Sequence, residues 1–298
     1  MPQNNNTEHE AMHTTLKFGE PGHLEFVEQL NNIDVKIVGA PSIAEFRKTI
    51  SVFMMNTWND NLRYEFNDDA IDQCIKDLFA GKILPTGMET IGITWTVAGL
   101  NMIDTTHLIR HRLFSFSAQT HADRDMRDDL CVVTPGIMAN EEFYDRYKSI
   151  VRSAHSLYVD MMDSGEVNCL DARTIMPRCM DHFYITRCCI KDLIGYCQMR
   201  ADEQIQTTVD NVVAMKLWLE VLNLYPFLKG LVDFNKPDSY YVSQCKAGKT
   251  NIFPPNQKND LFDWHPDQFV HPKGRDEFPG SDVYLNLRKE LLSQIDAI

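Results

Sequence analysis

The chain has 298 residues, of which 44% are hydrophobic and 24% charged, a composition typical of folded globular proteins and not of disordered, collagen-like or coiled-coil chains. Its 29 basic and 42 acidic residues give a net charge of −13, which argues against a general attraction to nucleic acids or anionic membranes. No stretch reaches the ~20 consecutive apolar residues of a transmembrane helix. We therefore expect neither a nucleic-acid partner nor a membrane partner.

The amino-terminal segment and the cysteines indicate the compartment. The opening sequence MPQNNNTEHE contains neither the basic nor the apolar region of an export signal. The eight cysteines form no CxxC pair, and five of them lie among apolar residues between Cys169 and Cys197. We expect a cytoplasmic protein with reduced, mostly buried thiols.

The first half of the chain carries signals of both strands and helices. After a tail or strand-forming arm without periodicity, DVKIVG predicts a strand from about residue 33, and SIAEFRKTISVFMMNTW predicts a helix capped by Ser42. A second helix is predicted over about 68–80. The β-branched and aromatic run Thr90–Leu100 predicts a buried strand, followed by a short helix that ends near 110–112.

In the second half of the chain, most apolar residues recur at the spacing of a helix. The segment Glu141–Ser164 predicts a long amphipathic helix closed by Gly165, and a second helical tract is predicted over about 169–225. Beyond residue 233 the chain is rich in Pro, Gly, Asn and Asp. This composition predicts an irregular extension that ends in one helix over about 281–295.

Several familiar nucleotide and metal motifs are incomplete. AGKT at 247–250 ends like a P-loop, but the required first glycine is Ser243 and no strand is predicted before it. His265 and His271 lie among prolines, without thiols at zinc-ligand spacing. The chain also has no GxGxxG, HExxH or GxSxG motif, so we predict no metal site.

A cationic cluster, the RHR motif at 110–112, precedes the hydroxyl- and amide-rich sequence LFSFSAQT. The combination is suited to bidentate binding of phosphate, although a solvated basic turn accounts for it equally well. More cations follow in the second helical tract, among them Lys191 and Arg200. In an unbroken helix the turn between them is about 900°, which places the two side chains on opposite faces. Either the helix breaks near Gly195, or the two cations serve different ligands or different subunits.

These two tracts resemble the flavin-dependent thymidylate synthase (ThyX) family over roughly residues 35–232. The family signature is RHR, seven residues and Ser; here the RHR motif is followed by seven residues and Thr120. The second tract matches in order and spacing: Ala172-Arg173, Met176-Pro177, Phe183-Tyr184, and then Met199-Arg200-Ala201-Asp202 with Gln206 for LRADxxxQ. Two further segments resemble family motifs more weakly: Thr86–Glu89 resembles HxTPFEH, and Arg47–Phe53 resembles VRxARVSF.

The resemblance implies an α+β fold, with a long helical layer packed on a mixed or antiparallel sheet, and a homotetramer with active sites shared between subunits. It implies transfer of a one-carbon unit from methylenetetrahydrofolate to C5 of dUMP, giving dTMP, through FAD with NADPH as reductant. Nucleotide and folate are then the partners. The chain would comprise an amino-terminal arm (1–32), a catalytic domain (33–232) and a carboxy-terminal extension (233–298).

The same resemblance assigns site residues. The catalytic residues would be Arg200 and Thr120, with Arg200 against the pyrimidine. The nucleotide would be bound by His107, Arg110, Gln119, Thr120, Arg173 and Arg200. The flavin would be bound by Glu89, Arg110, His111, Arg112, Lys191, Gln204 and Gln206.

The chemistry fits these assignments. C5 of uracil attacks only if negative charge builds at the O4 and N3 side of the ring, and a fixed guanidinium such as Arg200 stabilises that charge. Two flanking cations disfavour protonation of His111, so we expect a neutral imidazole that hydrogen-bonds the flavin.

Departures from the family pattern leave alternatives open. The family's Glu and Arg around the signature hydroxyl are Ala118 and Ala122 here, so one phosphate contact is lost unless Arg124 or Arg127 supplies it. The early His of HxTPFEH is Leu84 or Pro85, and the flavin-contacting Asn and His are Cys189 and Gln204. The alternatives are hydroxymethylation, C5 modification of dCMP, and a non-catalytic paralogue that binds nucleotide or flavin.

Overall fold

The computed structural model of the protein describes residues 24–120, 124–201, 207–235 and 278–298. At its centre is a four-stranded sheet in which every neighbouring pair is antiparallel. The described residues form six strands, four of them in this sheet: β1 (Phe26–Glu28), β2 (Asp34–Gly39), β3 (Gly92–Asn101), β4 (Ser115–Ala118), β5 (Cys131–Val133) and β6 (Asp181–Cys189). The sheet order is β2-β3-β6-β4, and β1 pairs with β5 in a separate parallel ribbon.

Helices surround this sheet. They are α1 (Gln29–Asn32), α2 (Ile43–Met55), α3 (Asp68–Phe79), α4 (Met102–Leu108), α5 (Pro135–Met138), α6 (Glu141–Ser164), α7 (Cys169–Ala172), α8 (Ile190–Arg200), α9 (Thr208–Leu224) and α10 (Ser281–Ala297). Short 3-10 turns follow α2 and α7, and another precedes β3 at Pro85–Thr90. The expected α+β architecture, helices packed on an antiparallel sheet, is confirmed.

Most of the elements predicted in the first half are confirmed, together with α6 and α10. The α2 helix begins at a capping box, in which the Ser42 hydroxyl accepts from the Glu45 N–H and the Glu45 carboxylate accepts from the Ser42 N–H. The α6 helix ends at Gly165 in the left-handed conformation, with φ of 66°. The local chemistry of the helix ends therefore determines these boundaries.

The prediction of one helical tract over 169–225 is wrong, because β6 lies inside it. Its residues 182–188 alternate between buried and exposed, with His182 and Tyr184 inward and Phe183 and Ile185 outward. This period of two is that of a strand, and the β-branched and aromatic content favours it. The strands β1 and β5 and the helix α5 also lie outside the predicted elements.

The main core lies between one face of the sheet and the helices α2, α8, α9 and α10. The α9 helix is buried almost all round, and α10 packs along it through Tyr284, Leu291 and Ile295. Leu30, from α1, belongs to the same core. Smaller apolar clusters lie beneath α6. The division of the chain into three segments remains a prediction.

A bulge in β3 directs the chain toward the RHR motif. Between Val97 and Leu100 the pairing with β6 shifts register, and Gly99 there has φ of 75°. A Cβ atom at this position would overlap the backbone carbonyl of Asn32. The strand then enters α4 at Asn101, whose side chain caps the helix, and α4 ends two residues before the motif.

Within the described ranges, no helix combines the length and apolar character of a membrane span. Several sequence-based predictions lie outside the described residues: most of the amino-terminal arm, Ala122, Gln204, Gln206, the AGKT segment, His265, His271 and most of the carboxy-terminal extension.

Candidate active site

The α8 helix separates two of the predicted cations. It runs unbroken through Gly195, so the alternative of a helix break is excluded. The Lys191 side chain, in its first turn, is 41% exposed, whereas the Arg200 side chain, at its end, is 6% exposed. The prediction that they lie on opposite faces is confirmed, so the two cations cannot bind one small ligand together.

Arg200 lies in a buried cluster with Tyr196 and Asp210. Its Nη1 is 3.3 Å from Oδ2 of Asp210, a carboxylate with only 1% exposure. The guanidinium carbon lies 5.5 Å from the ring centroid of Tyr196. The backbone carbonyl of Arg200 accepts a hydrogen bond from the Asn211 side chain. The cation is therefore held firmly, and its charge is offset by Asp210.

His107 joins the same carboxylate from α4. Its Nδ1 is 3.0 Å from Oδ2 of Asp210 and 3.4 Å from Nη1 of Arg200, and its side chain is 47% exposed. Two residues predicted separately for the nucleotide thus meet. We name His107, Tyr196, Arg200 and Asp210 the Arg200 cluster.

Asp210 is a residue that sequence reasoning missed. It forms a capping box with Thr207 at the start of α9. The pattern TTVD indicates such a helix start, but no local pattern shows that the carboxylate also reaches α4 and α8.

His111 lies against two aromatic rings. Its ring centroid is 4.4 Å from that of Phe114 and 5.4 Å from that of Tyr196. Burial lowers the pKa of His111, and the positive charge of Arg200 lowers it further. The expected neutral imidazole is thus supported, although the charge responsible is Arg200 and not the flanking arginines.

Arg110 and Arg112 are exposed in the turn between α4 and β4. In the part of the chain that the structure describes, neither guanidinium forms an ion pair. Both are thus available to an anion, with the neutral imidazole of His111 between them. The donor set fits a diphosphate together with a hydrogen-bonding ring.

Lys191 and Glu89, both predicted to bind flavin, form an ion pair with each other. The Glu89 carboxylate raises the pKa of Lys191. This pair joins the start of α8 to the 3-10 turn Pro85–Thr90. A ligand at Lys191 would have to share this cation with Glu89.

The signature hydroxyl lies at the end of β4, beside β6. The Gln119 N–H donates to the Phe183 carbonyl at 3.0 Å, and the His182 ring donates to the Gln119 carbonyl at 2.7 Å. The Thr120 carbonyl accepts from Nε of Arg124 at 3.2 Å. These contacts fix the backbone of the Gln119–Thr120 segment.

Arg173 follows α7 in a 3-10 turn, where its Nε donates to the Leu170 carbonyl at 3.1 Å. The preceding residue, Ala172, packs with Met126 and Tyr158. Among the described contacts, none joins Arg173 to the Arg200 cluster.

The two arginines expected to replace the lost phosphate contact are already paired. Nη1 and Nη2 of Arg124 lie 2.6 and 2.5 Å from the two carboxylate oxygens of Asp129. Arg127 pairs with Asp125 at 2.6 Å and with Asp163 at 3.0 Å. In this structure both arginines bind carboxylates of the protein, so neither is poised to take the lost contact.

Asp181, at the start of β6, is a second residue that sequence reasoning missed. Burial and the nearby charge of Asp129 raise its pKa to about 6. Its Oδ1 is buried without a hydrogen-bond partner. Because nothing in the sequence around Asp181 signals this burial, only the fold identifies it.

The described residues contain no group of three or more His, Cys, Asp or Glu side chains suited to a metal ion.

Comparison with known proteins supports the family resemblance. The family model described as "Thymidylate synthase complementing protein" (Thy1) matches residues 44–226. Flavin-dependent thymidylate synthases of Pyrococcus furiosus and Thermococcus onnurineus are each 26% identical to this chain, over 139 and 170 residues. These alignments cover 44% and 52% of this chain, and 57% and 69% of the two relatives. The chain thus spans little more than half the length of the first relative.

A solved structure shares the fold. The UMP/dUMP methylase PolB from Streptomyces cacaoi, bound with 5-Br dUMP, superposes with a TM-score of 0.56 at 16% sequence identity. The superposition covers 68% of this chain and 94% of that one. With a family match over more than half of its length, the chain belongs to the Thy1 family of thymidylate synthase complementing proteins, as a divergent, ThyX-like member.

Proposed function

We propose that the protein is a flavin-dependent enzyme that transfers a one-carbon unit to C5 of a pyrimidine nucleotide, with conversion of dUMP to dTMP as the favoured reaction. The observation that carries the proposal is the Arg200 cluster, which holds a guanidinium and an imidazole on one buried carboxylate next to the RHR motif. The names of the relatives, flavin-dependent thymidylate synthases, supply the reaction class.

Arg200 would act on the pyrimidine. A guanidinium stabilises the negative charge that develops on the ring when C5 attacks, and it does so best when its position is set beforehand. The contacts with Asp210, Tyr196 and Asn211 set that position. Asp210 also reduces the net charge, so the substrate must share the cation with this carboxylate.

Arg110 and Arg112 would bind the diphosphate of FAD, and His111 would hydrogen-bond the cofactor as a neutral imidazole. The flavin, when bound, supplies the redox chemistry, with NADPH as reductant and methylenetetrahydrofolate as carbon donor. The protein's part is to orient these groups.

We further propose a cytoplasmic homotetramer with shared active sites. Lys191 faces away from the Arg200 cluster, which suits a second site completed by another subunit. The outer face of β6 exposes Phe183 and Ile185, each to 41%, and an exposed apolar face of this kind is typical of an interface. Light scattering of the purified protein tests the oligomeric state.

A second candidate keeps the scaffold and changes the base or the product. Ala118 is exposed at the end of β4, where the resemblance places a family carboxylate. Since a pocket selects a base by the polar edge that it satisfies, this loss favours C5 modification of another nucleotide, such as dCMP or UMP, or hydroxymethylation.

The test is product analysis by mass spectrometry. The purified protein is incubated with FAD, methylenetetrahydrofolate, NADPH and one of dUMP, UMP or dCMP. We expect a methylated dUMP; a modified UMP or dCMP would favour the second candidate instead. A protein that binds FAD and nucleotide yet modifies none of the three would be a non-catalytic paralogue.

Arg200→Ala should abolish the product, with Arg146→Ala as the matched control, because Arg146 is 70% exposed on α6. Unchanged turnover in Arg200→Ala would remove this residue from the site.

A further inference from the structure

Two thiols meet between β5 and the segment that enters β6. Cys131, the first residue of β5, is fully buried, and Cys179, two residues before β6, is partly exposed. Both are free thiols, as expected, and their sulfur atoms are 3.2 Å apart. The Val132 N–H donates to the Cys179 carbonyl at 2.8 Å, which fixes the two backbones side by side. A disulfide needs the sulfurs only about 1 Å closer.

The surroundings make the two thiols unequal. Cys179 accepts a hydrogen bond from the Cys131 thiol. This donor, with a smaller effect of the nearby Tyr147 hydroxyl, favours the thiolate and lowers the pKa of Cys179 to about 7, against the effect of burial. The hydrogen bond to Cys179, together with burial, raises the pKa of Cys131. The two thiols also differ in exposure: Cys131 is fully buried and Cys179 is partly exposed, so a disulfide from solution reaches Cys179 first.

The pair lies close to the proposed nucleotide site along both chain segments. Cys131 begins β5 directly after the loop that carries Arg124, and Nε of Arg124 donates to the Thr120 carbonyl. Cys179 leads into His182, whose ring donates to the Gln119 carbonyl. Both segments that carry the thiols therefore also hold the Gln119–Thr120 segment.

We propose that Cys179 and Cys131 form a dithiol site that exchanges with small-molecule disulfides such as glutathione disulfide. The Cys179 thiolate attacks one sulfur of the disulfide, forms a mixed disulfide and releases one thiolate. Cys131 then attacks Cys179 Sγ, which forms the Cys131–Cys179 bond and breaks the mixed disulfide; its proton passes to the departing sulfur, which leaves as the second thiol. The two protein thiols are oxidised, and one disulfide is reduced to two thiols. This exchange would occur whether or not the protein has the function proposed above.

The crosslink would join positions that are 48 residues apart. A closed loop of this length restricts the unfolded chain, so the oxidised protein should unfold at a temperature several degrees higher than the reduced protein. Its formation would also fix β5 to the entry of β6, and with them the contacts to Gln119 and Thr120.

The test is a redox titration of the full chain in glutathione buffers, with thiols trapped by N-ethylmaleimide and disulfides mapped by peptide mass spectrometry. We expect the trappable thiols of Cys131 and Cys179 to disappear together as the buffer becomes oxidising, and to return with excess reduced glutathione. A disulfide between other cysteines, or two thiols that remain trappable in excess glutathione disulfide, would overturn the proposal.

Single variants distinguish the attacking thiol from the resolving thiol. Cys131→Ser should accumulate one glutathione adduct at Cys179, because no second thiol resolves it, whereas Cys179→Ser should form neither adduct nor crosslink. Cys74→Ser, in α3, is the matched control and should titrate like wild type. An adduct that accumulates on Cys131 in Cys179→Ser at the wild-type rate would contradict the assigned roles. If a serine variant does not fold, the disulfide mapped in the wild-type protein still shows whether Cys131 and Cys179 form the crosslink.

Discussion

At the scale of single residues, the Asp210 carboxylate links the groups of the Arg200 cluster. It accepts from His107, from Arg200 and from the Thr207 N–H, which lies 3.2 Å from Oδ2. It thereby orients two proposed substrate-binding groups and caps α9 at the same time. A ligand that binds Arg200 meets a guanidinium that is fixed in place.

Asp210→Asn should destabilise the protein strongly. Removal of one partner from a buried ion pair leaves the Arg200 charge uncompensated, at a cost of about 3 kcal/mol. Urea unfolding measures the difference. Asp145→Asn is the matched control, because the Asp145 side chain is 65% exposed on α6 and loss of its pair with Lys148 should cost less than about 1 kcal/mol. Equal costs for the two variants would mean that the Asp210 pair is not buried in solution.

Asp181→Asn should change how stability depends on pH. The pKa of Asp181 is about 6 in the folded protein, against an ordinary value of 3.8 for an aspartate in an unfolded chain, so the folded state binds the proton more tightly. The contribution of Asp181 to stability is therefore fully present below about pH 4 and is lost as the pH rises from about 4 to 6. Relative to wild type, the variant should gain on the order of 3 kcal/mol of unfolding free energy at about pH 8, and the gain should vanish near pH 4.

Thermal unfolding at several pH values checks this difference. Asp60→Asn, which makes the same substitution at an exposed position, is the control. If Asp181→Asn followed the wild-type curve at every pH, the carboxylate would not be buried as described.

At the scale of elements, α8 should serve two different ligands. Because Lys191 and Arg200 lie on opposite faces, Lys191→Ala should weaken flavin retention more than nucleotide affinity, and Arg200→Ala should do the reverse. Flavin absorbance after gel filtration and nucleotide titration measure the two effects. Glu89→Ala is the matched control for Lys191→Ala, because it breaks the same ion pair but leaves the Lys191 cation in place. The opposite pattern would mean that the faces are assigned wrongly.

The bulge in β3 depends on Gly99. Gly99→Ala would place a side chain in the left-handed region and against the Asn32 carbonyl, so it should cost at least about 2 kcal/mol. Gly165→Ala is the control, because its φ is also positive, at 66°, but its Cβ meets nothing within 4 Å. It should cost only about 1 kcal/mol, and chemical denaturation would show whether the two costs differ.

Much of this element structure follows from local signals. Ser42, Asn140 and Gly165 mark helix ends through their own side chains or conformations. Local patterns miss the strand β6 because its apolar residues also suit a helix when they are read as part of a longer apolar tract. Strand pairing with β3 and β4 decides the outcome, and that pairing is not local.

At the scale of the whole molecule, distant segments converge on Arg200. Tyr284, in α10, donates to Asn211 Oδ1 at 3.0 Å, and Asn211 in turn donates to the Arg200 carbonyl. The sequence predicts α10 as a helix and Arg200 as a site residue, but not this connection. The Arg200 cluster likewise depends on how α4, α8 and α9 pack, which short-range patterns do not encode.

The central claim is transfer of a one-carbon unit to C5 of a pyrimidine nucleotide. The most direct measurement is carbon-13 NMR of the nucleotide after reaction of dUMP with FAD, NADPH and methylenetetrahydrofolate labelled with carbon-13 in its methylene group. We predict a labelled methyl group on C5 of the pyrimidine. The same reaction is run with UMP and with dCMP in place of dUMP. If a protein that binds both flavin and nucleotide leaves all three nucleotides unlabelled, the claim is contradicted.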